Sequence, residues 1–205
     1  MNVAARQNDE ARVAAVVLAA GTATRLGEQK LVLELGGRPV VTWGVDAALG
    51  SAASQTVVVL GYEAERVRAA LGARPVTVVV NQEYEAGMST SLKAGVRALD
   101  PACEGAVFLL GDQPFVSSAL IDRLIARFRV SGKGIVRPKV GDVPANPVLL
   151  GARLFAEVLS QHGDVGGREI VARHLDDVDL VEADDPRLTI DVDTRADYDV
   201  ARSHA

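Results

Sequence analysis

The strongest constraint on this 205-residue chain is a series of short, valine-rich apolar runs separated by stretches of helical period. The runs at 13–20, 56–60, 76–80 and 106–110 are largely aliphatic and are bounded by glycine or polar residues. A half-exposed strand would alternate apolar with polar residues. Continuous runs of this length fit strands covered on both faces, as in a parallel sheet. Between them, segments 39–49, 63–71 and 89–99 are each long enough for one crossover helix. Pro39 suits a first helical turn, where its missing N–H costs nothing. Ser89 or Ser91 suits the N-cap of the third helix. The alternation predicts an α/β fold: one doubly wound, mostly parallel sheet with helices on both faces, Rossmann-like in class. Beyond residue 115, helices are expected at 118–130, 153–161 and 168–174, strands at 132–136, 147–150, 178–182 and 188–192, and a closing helix at 194–203. No repeat or linker divides the chain, so one domain is expected over 12–203, with residues 1–11 frayed.

Composition narrows the function classes. Apolar residues make up 48% and charged residues 24%, and aromatics only 4%, so an aliphatic globular core is expected rather than disorder. A net charge of −5 argues against an electrostatic nucleic-acid binder, which would need a basic face. Cys103 is the only cysteine, which excludes an intramolecular disulfide and a thiolate zinc cluster. The apolar run at 13–20 is too short to span a bilayer. No signal peptide is recognisable, and a cytoplasmic protein with no membrane partner is expected.

In an open parallel sheet, ligands bind beyond the carboxyl ends of the strands, so the strand-to-loop junctions carry the information. Leu18-Ala19-Ala20-Gly21 ends the first run and is followed by Arg25, Gly27 and Lys30. Small residues admit close approach of a ligand to the backbone, and the two cations can add charge-assisted phosphate contacts. The same residues also read as an ordinary turn with two solvated cations, and they match neither the Walker A nor the dinucleotide glycine pattern. Gly111-Asp112-Gln113-Pro114 places an acid where Mg²⁺ could be held, or where a turn aspartate could cap the next helix. Asp191-Val192-Asp193-Thr194 adds two carboxylates on one face by alternation, with Thr194 a candidate cap. Finally, 81–92 offers Asn81, Gly87, Ser89 and Ser91, which could read a base or ribose or form a long capped loop.

Taken in order and spacing, these pieces resemble the MobA-like nucleotidyltransferases, most closely the molybdenum cofactor cytidylyltransferases. The similarity runs from about Val13 to Tyr198 and includes Gly36-Gly37-Arg38-Pro39. It implies that Leu18, Ala19, Ala20 and Gly21 wrap the base and triphosphate together with Asn81, Gly87, Ser89 and Ser91, while Arg25 and Lys30 bind phosphates. It implies Asp112 as principal Mg²⁺ ligand and Asp193, rather than Asp191, as the second. Arg25, Lys30 and Asp112 are then the catalytic groups. In that family an Ala at position 20 accompanies CTP and a Gly accompanies GTP. Residues 144–148 and 163–168 fall where related enzymes shape the acceptor pocket, but the family more often carries Gly and His near Ala145 and Asn146, which leaves the acceptor open. The implied partners are CTP, a small phosphorylated acceptor such as molybdopterin, and a molybdoenzyme or its chaperone. A phosphate nucleophile is already ionised and needs no general base. The three histidines, His162, His174 and His204, form no triad and are expected to be packing or surface residues. Three rivals remain: a nucleotidyltransferase of other specificity, an oxidoreductase using NAD(P)H, and a nucleotide-binding cofactor chaperone.

Overall fold

The computed structural model describes residues 11–22, 28–164 and 166–205. The expected phosphate contact of Arg25 and residues 1–10 of the expected frayed segment 1–11 lie outside the described residues. The central sheet contains β1 (Val13–Ala19), β4 (Thr56–Leu60), β5 (Thr77–Val80), β6 (Gly105–Leu110), β7 (Ile135–Val140), β9 (Val148–Gly151) and β10 (Val178–Glu182). Their order is β10-β7-β9-β6-β1-β4-β5. A short strand β8 (Val143–Pro144) pairs antiparallel with β7. A separate two-stranded ladder joins β2 (Glu34–Leu35) to β3 (Arg38–Pro39).

The pairs β4–β5, β1–β4, β1–β6 and β7–β10 are parallel, whereas β9 runs antiparallel between β6 and β7. The mostly parallel, doubly wound expectation is met, with β9 and the short β8 as its antiparallel members. Strand β1 sits at the centre with both edges paired, which is why its sequence is apolar without alternation.

Alternate side chains of β1 enter two different cores. Val13, Ala15, Val17 and Ala19 pack under α1 (Val40–Leu49), α2 (Ala64–Leu71) and α4 (Ser118–Ser131) through Val41, Val45, Val67, Leu71, Ile121 and Leu124. Ala14 and Val16 face α3 (Met88–Arg97), α5 (Phe155–Ser160) and α6 (Gly167–Arg173) through Leu92, Val96, Val158 and Ile170. The helix α7 (Arg195–Ser203) closes a third cluster through Tyr198 and Ala201, with Leu35, Val40 and Phe115. Fully burying such a side chain contributes ~1.5–3 kcal/mol, so the aliphatic composition suffices for two layers.

Four local expectations are corrected. Pro39 pairs with Glu34 and stands at the cap, so α1 begins at Val40. The N-cap of α3 is Gly87, and Ser89 and Ser91 lie inside the helix facing the core. The first of the late strands, expected at 132–136, begins at Ile135 because Gly132, with φ 67°, ends α4 in a left-handed cap. Residues 188–192 form no strand: Asp185 accepts from the Arg187 amide with Pro186 next in line, and this cap starts a single 3-10 turn over Pro186–Thr189. Among the described residues, no helix is long and apolar enough to cross a membrane.

Candidate active site

The ends of β1 and β6 create the site. Gly111 donates to the Leu18 carbonyl at 2.9 Å, extending the ladder by one residue past the strand. A Cβ on Gly111 would meet that same oxygen at 3.0 Å, a tight contact that glycine avoids. The next residue, Asp112, is thereby held just outside the sheet. Its backbone oxygen accepts from Val192 at 3.0 Å, which draws the segment 191–193 to the same edge. Thr194 then caps α7 in a reciprocal box with Asp197: each side chain accepts from the other's backbone amide, at 3.2 Å to Thr194 Oγ1 and 2.8 Å to Asp197 Oδ2.

Lys30 reaches this edge from the opposite side. It opens a one-turn 3-10 helix capped by Gln29, whose amide is buried, accepts from Leu31 and donates to the Tyr62 carbonyl at 3.0 Å. The Lys30 ammonium bonds Asp112 Oδ2 at 2.6 Å and Asp193 Oδ1 at 2.5 Å. Lys30 is 8% exposed. Burial works against its charge more than any single neighbour favours it, but the Asp112 and Asp193 carboxylates together hold the ammonium above its ordinary value. Asp191 takes another partner, accepting from the Gln113 side chain. Its carboxyl is pushed up by desolvation and by the negative charges of Asp112 and Asp193. Of the two expected alternatives, Asp193 is the one that converges with Asp112.

A cavity of about 520 Å³ opens beside this cluster. Leu18, Ala19, Ala20, Gly21, Lys30, Gly87, Ser91 and Asp112 line it, bringing eight of the expected site residues to one place. Two expected nucleotide contacts are placed elsewhere. Asn81 is buried and spends its amide on Thr90 and Ser91 at 2.8 and 3.0 Å, while its oxygen accepts from the Glu83 amide. It organises the turn into α3 and does not line the cavity. Ser89 is fully buried behind the cavity wall, and its hydroxyl has no hydrogen-bond partner among the described residues.

A second cavity, about 470 Å³, adjoins the first and shares Leu18, Met88, Leu110 and Asp164 with it. Its floor is apolar, with Leu92, Phe108, Val148 and Leu150, and Asp193, Asn146, Arg137 and Arg168 add polar groups. The Arg137 guanidinium is half-buried and donates to the Ala145 carbonyl at 3.0 and 3.1 Å. Burial and the nearby Arg168 push its pKa down. From the two segments 144–148 and 163–168, Asn146, Val148, Asp164, Gly166, Gly167 and Arg168 border this cavity, and Arg137, which the sequence did not single out, joins them. It is the third residue of β7, and a lone arginine in a strand gives no spacing signal.

The geometry defines a class: an α/β domain with convergent acids at the carboxyl edge of its sheet, the edge where open parallel sheets bind ligands. The chain belongs to the MobA-like NTP transferase domain family, whose model matches residues 15–178. Rv0371c from Mycobacterium tuberculosis H37Rv superposes with a TM-score of 0.87 at 30% identity, over 95% of this chain and 98% of that one. The manganese complex of Rv0371c gives a TM-score of 0.82 at 29% identity, over 95% of this chain and all of that one (100%). The nicotine blue oxidoreductase of Paenarthrobacter nicotinovorans is 32% identical over 189 residues, which is 89% of this chain and 92% of that protein. The bifunctional protein GlmU of Trichlorobacter lovleyi is 33% identical over 124 residues, covering 60% of this chain. The match spans about a quarter of the length of the GlmU proteins.

Proposed function

We propose that this protein is a divalent-metal-dependent nucleotidyltransferase moving CMP from CTP to a small phosphorylated acceptor, with molybdopterin the leading candidate. The observation that carries the reading is the convergence of Asp112 and Asp193 on one point beside a cavity lined by Leu18, Ala19, Ala20 and Gly21. Two hard carboxylates meeting at a single cation-sized position suit Mg²⁺, which takes one or two carboxylates and completes its shell with water and substrate phosphates. Among the described residues no group of three or more His, Cys, Asp or Glu could hold a metal, so the nucleotide itself would supply the remaining ligands. The manganese complex of Rv0371c supports a divalent ion here. When bound, the metal supplies positive charge against the triphosphate.

The protein's own groups would divide the remaining work. The backbone at Ala20 and Gly21 admits the nucleotide closely, and Lys30 and Arg25 would face the phosphates. Met88 and Asp164, in the wall common to both cavities, would fix where the acceptor meets the α-phosphate. The apolar floor and the two arginines of the second cavity suit an acceptor with a hydrophobic body and anionic substituents. The acceptor phosphate is already ionised, so alignment and charge stabilisation suffice without a general base. The choice of CTP rests on Ala20.

A second reading is favoured by one observation, the near full-length similarity to nicotine blue oxidoreductase. An oxidoreductase would place NAD(P)H in the first cavity and a conjugated substrate on the apolar floor of the second. It has no use for paired acids, since a hydride carrier needs no metal. The discriminating experiment measures pyrophosphate release with CTP, GTP, ATP and UTP against phosphorylated acceptors, molybdopterin among them, with NADPH oxidation followed in parallel. Release with CTP and Mg²⁺ is expected. NADPH oxidation without pyrophosphate release would replace this reading with the second.

A further inference from the structure

The position between Asp112 and Asp193 is taken by a side chain of the protein itself. The Lys30 ammonium lies 2.6 Å from one carboxylate and 2.5 Å from the other, on a stem that is 8% exposed. Two carboxylates brought this close repel each other unless a cation lies between them. Lys30 supplies that cation and keeps the pair in place. A divalent ion entering the same position would therefore meet a like charge at hydrogen-bonding distance. The same ammonium also lines the first cavity, so a triphosphate seated there would offer it an alternative anionic partner.

We propose that Lys30 is a stand-in cation for the metal site: it competes with free divalent metal for Asp112 and Asp193, and the nucleotide relieves the competition by drawing the ammonium to its phosphates. The inference rests on the assignment of Asp112 and Asp193 as metal ligands. Lys30 acts here as a positioning residue. It sets the order of assembly, with metal arriving on the triphosphate in preference to arriving alone. The Gln29 cap and its bond to Tyr62 fix the start of the turn, so the movement required is that of the lysine side chain alone.

Mn²⁺ binding followed by electron paramagnetic resonance tests this without any turnover. The Lys30→Met variant keeps the stem volume and removes the charge. It should bind free Mn²⁺ at least about tenfold tighter than the wild type, the factor that corresponds to ~1.4 kcal/mol. With saturating CTP the order should narrow or reverse, because the wild type regains its lysine as a phosphate contact. Lys30→Arg should keep the competition. Equal Mn²⁺ affinity in wild type and Lys30→Met, with and without CTP, overturns the inference and leaves the metal assignment standing. If neither protein binds Mn²⁺ even with CTP, the metal assignment falls and takes the inference with it. A measurement on the wild type alone guards against a misfolded variant. With ¹³C-labelled lysine, Mg²⁺ plus CTP should shift the Lys30 Cε resonance, and an unmoved resonance in a protein shown to bind Mg²⁺ and CTP also overturns the proposal.

Discussion

Replacing Gly87 by alanine should damage both cavities at once. Gly87 has φ 109° and ψ 169°, a region essentially confined to glycine, where a side chain costs about 1–3 kcal/mol. The added Cβ would also meet Gly163 C and O at 2.5 Å and the Asp164 amide at 2.6 Å, all backbone atoms. The segment around Gly163 must then retreat by roughly an ångström to restore ordinary contact. That retreat strains two long hydrogen bonds, Met88 N–H to Asp164 Oδ1 at 3.3 Å and Ser89 N–H to the Gly163 carbonyl at 3.4 Å. The combined cost should be about 2–4 kcal/mol, which for a domain of this size lowers Tm by roughly 5–15 °C. Thermal denaturation reads the cost, and hydrogen exchange at the Met88 and Ser89 amides reads the opening. Gly141→Ala serves as the control: Gly141 also has positive φ, 58°, but its Cβ would meet nothing within 4 Å, so only about 1–2 kcal/mol of backbone strain applies. A Gly87→Ala protein no less stable than the Gly141→Ala protein, with unchanged exchange, would refute the account of this contact.

Two further predictions concern stability. Gln161 is 7% exposed and neither polar atom of its amide has a partner among the described residues, so Gln161→Met should stabilise by about 1 kcal/mol in chemical denaturation. A loss of stability there would show that the amide is satisfied in solution. The Arg74 guanidinium, bonded at 2.6 Å, and Arg38 behind it hold the Asp46 carboxyl below the usual carboxylate range. Its contribution is therefore complete above the unfolded value near pH ~4 and is lost as pH falls through the folded value. Asp46→Asn should cost up to ~1 kcal/mol at pH 7, discounted for partial exposure, with the two stability curves converging in acid. A gap that persists in acid would contradict the pairing.

What could be read in the chain beforehand follows physical lines. The runs that became β1, β4 and β6 were legible because burial on both faces removes polar residues from the sequence. Leu188 and Ile190 resemble a strand by the same criterion, but the Asp185 cap with Pro186 prevailed, and side-chain capping leaves only a faint pattern. Ser89 and Ser91 looked like caps because serine usually is one. Here Gly87 is needed against Gly163, a contact 76 residues away that no local pattern reports. The acids and Lys30 were legible as types at junctions. That Lys30 faces the two carboxylates follows only from how the turn after Gln29 aims it.

The most direct test of the central claim is pyrophosphate release from CTP and Mg²⁺ with molybdopterin as acceptor, comparing wild type with Asp112→Asn. Asp112 lies on the loop beyond β6 and its side chain pairs with Lys30; Asp193 remains to pair the ammonium in the variant, and Tm measured beside activity separates lost stability from lost catalysis. The account predicts turnover by the wild type and a loss on the order of 10²–10³-fold in the variant, the scale of removing one preorganised electrostatic contact. A variant that folds and turns over within tenfold of the wild type would contradict it.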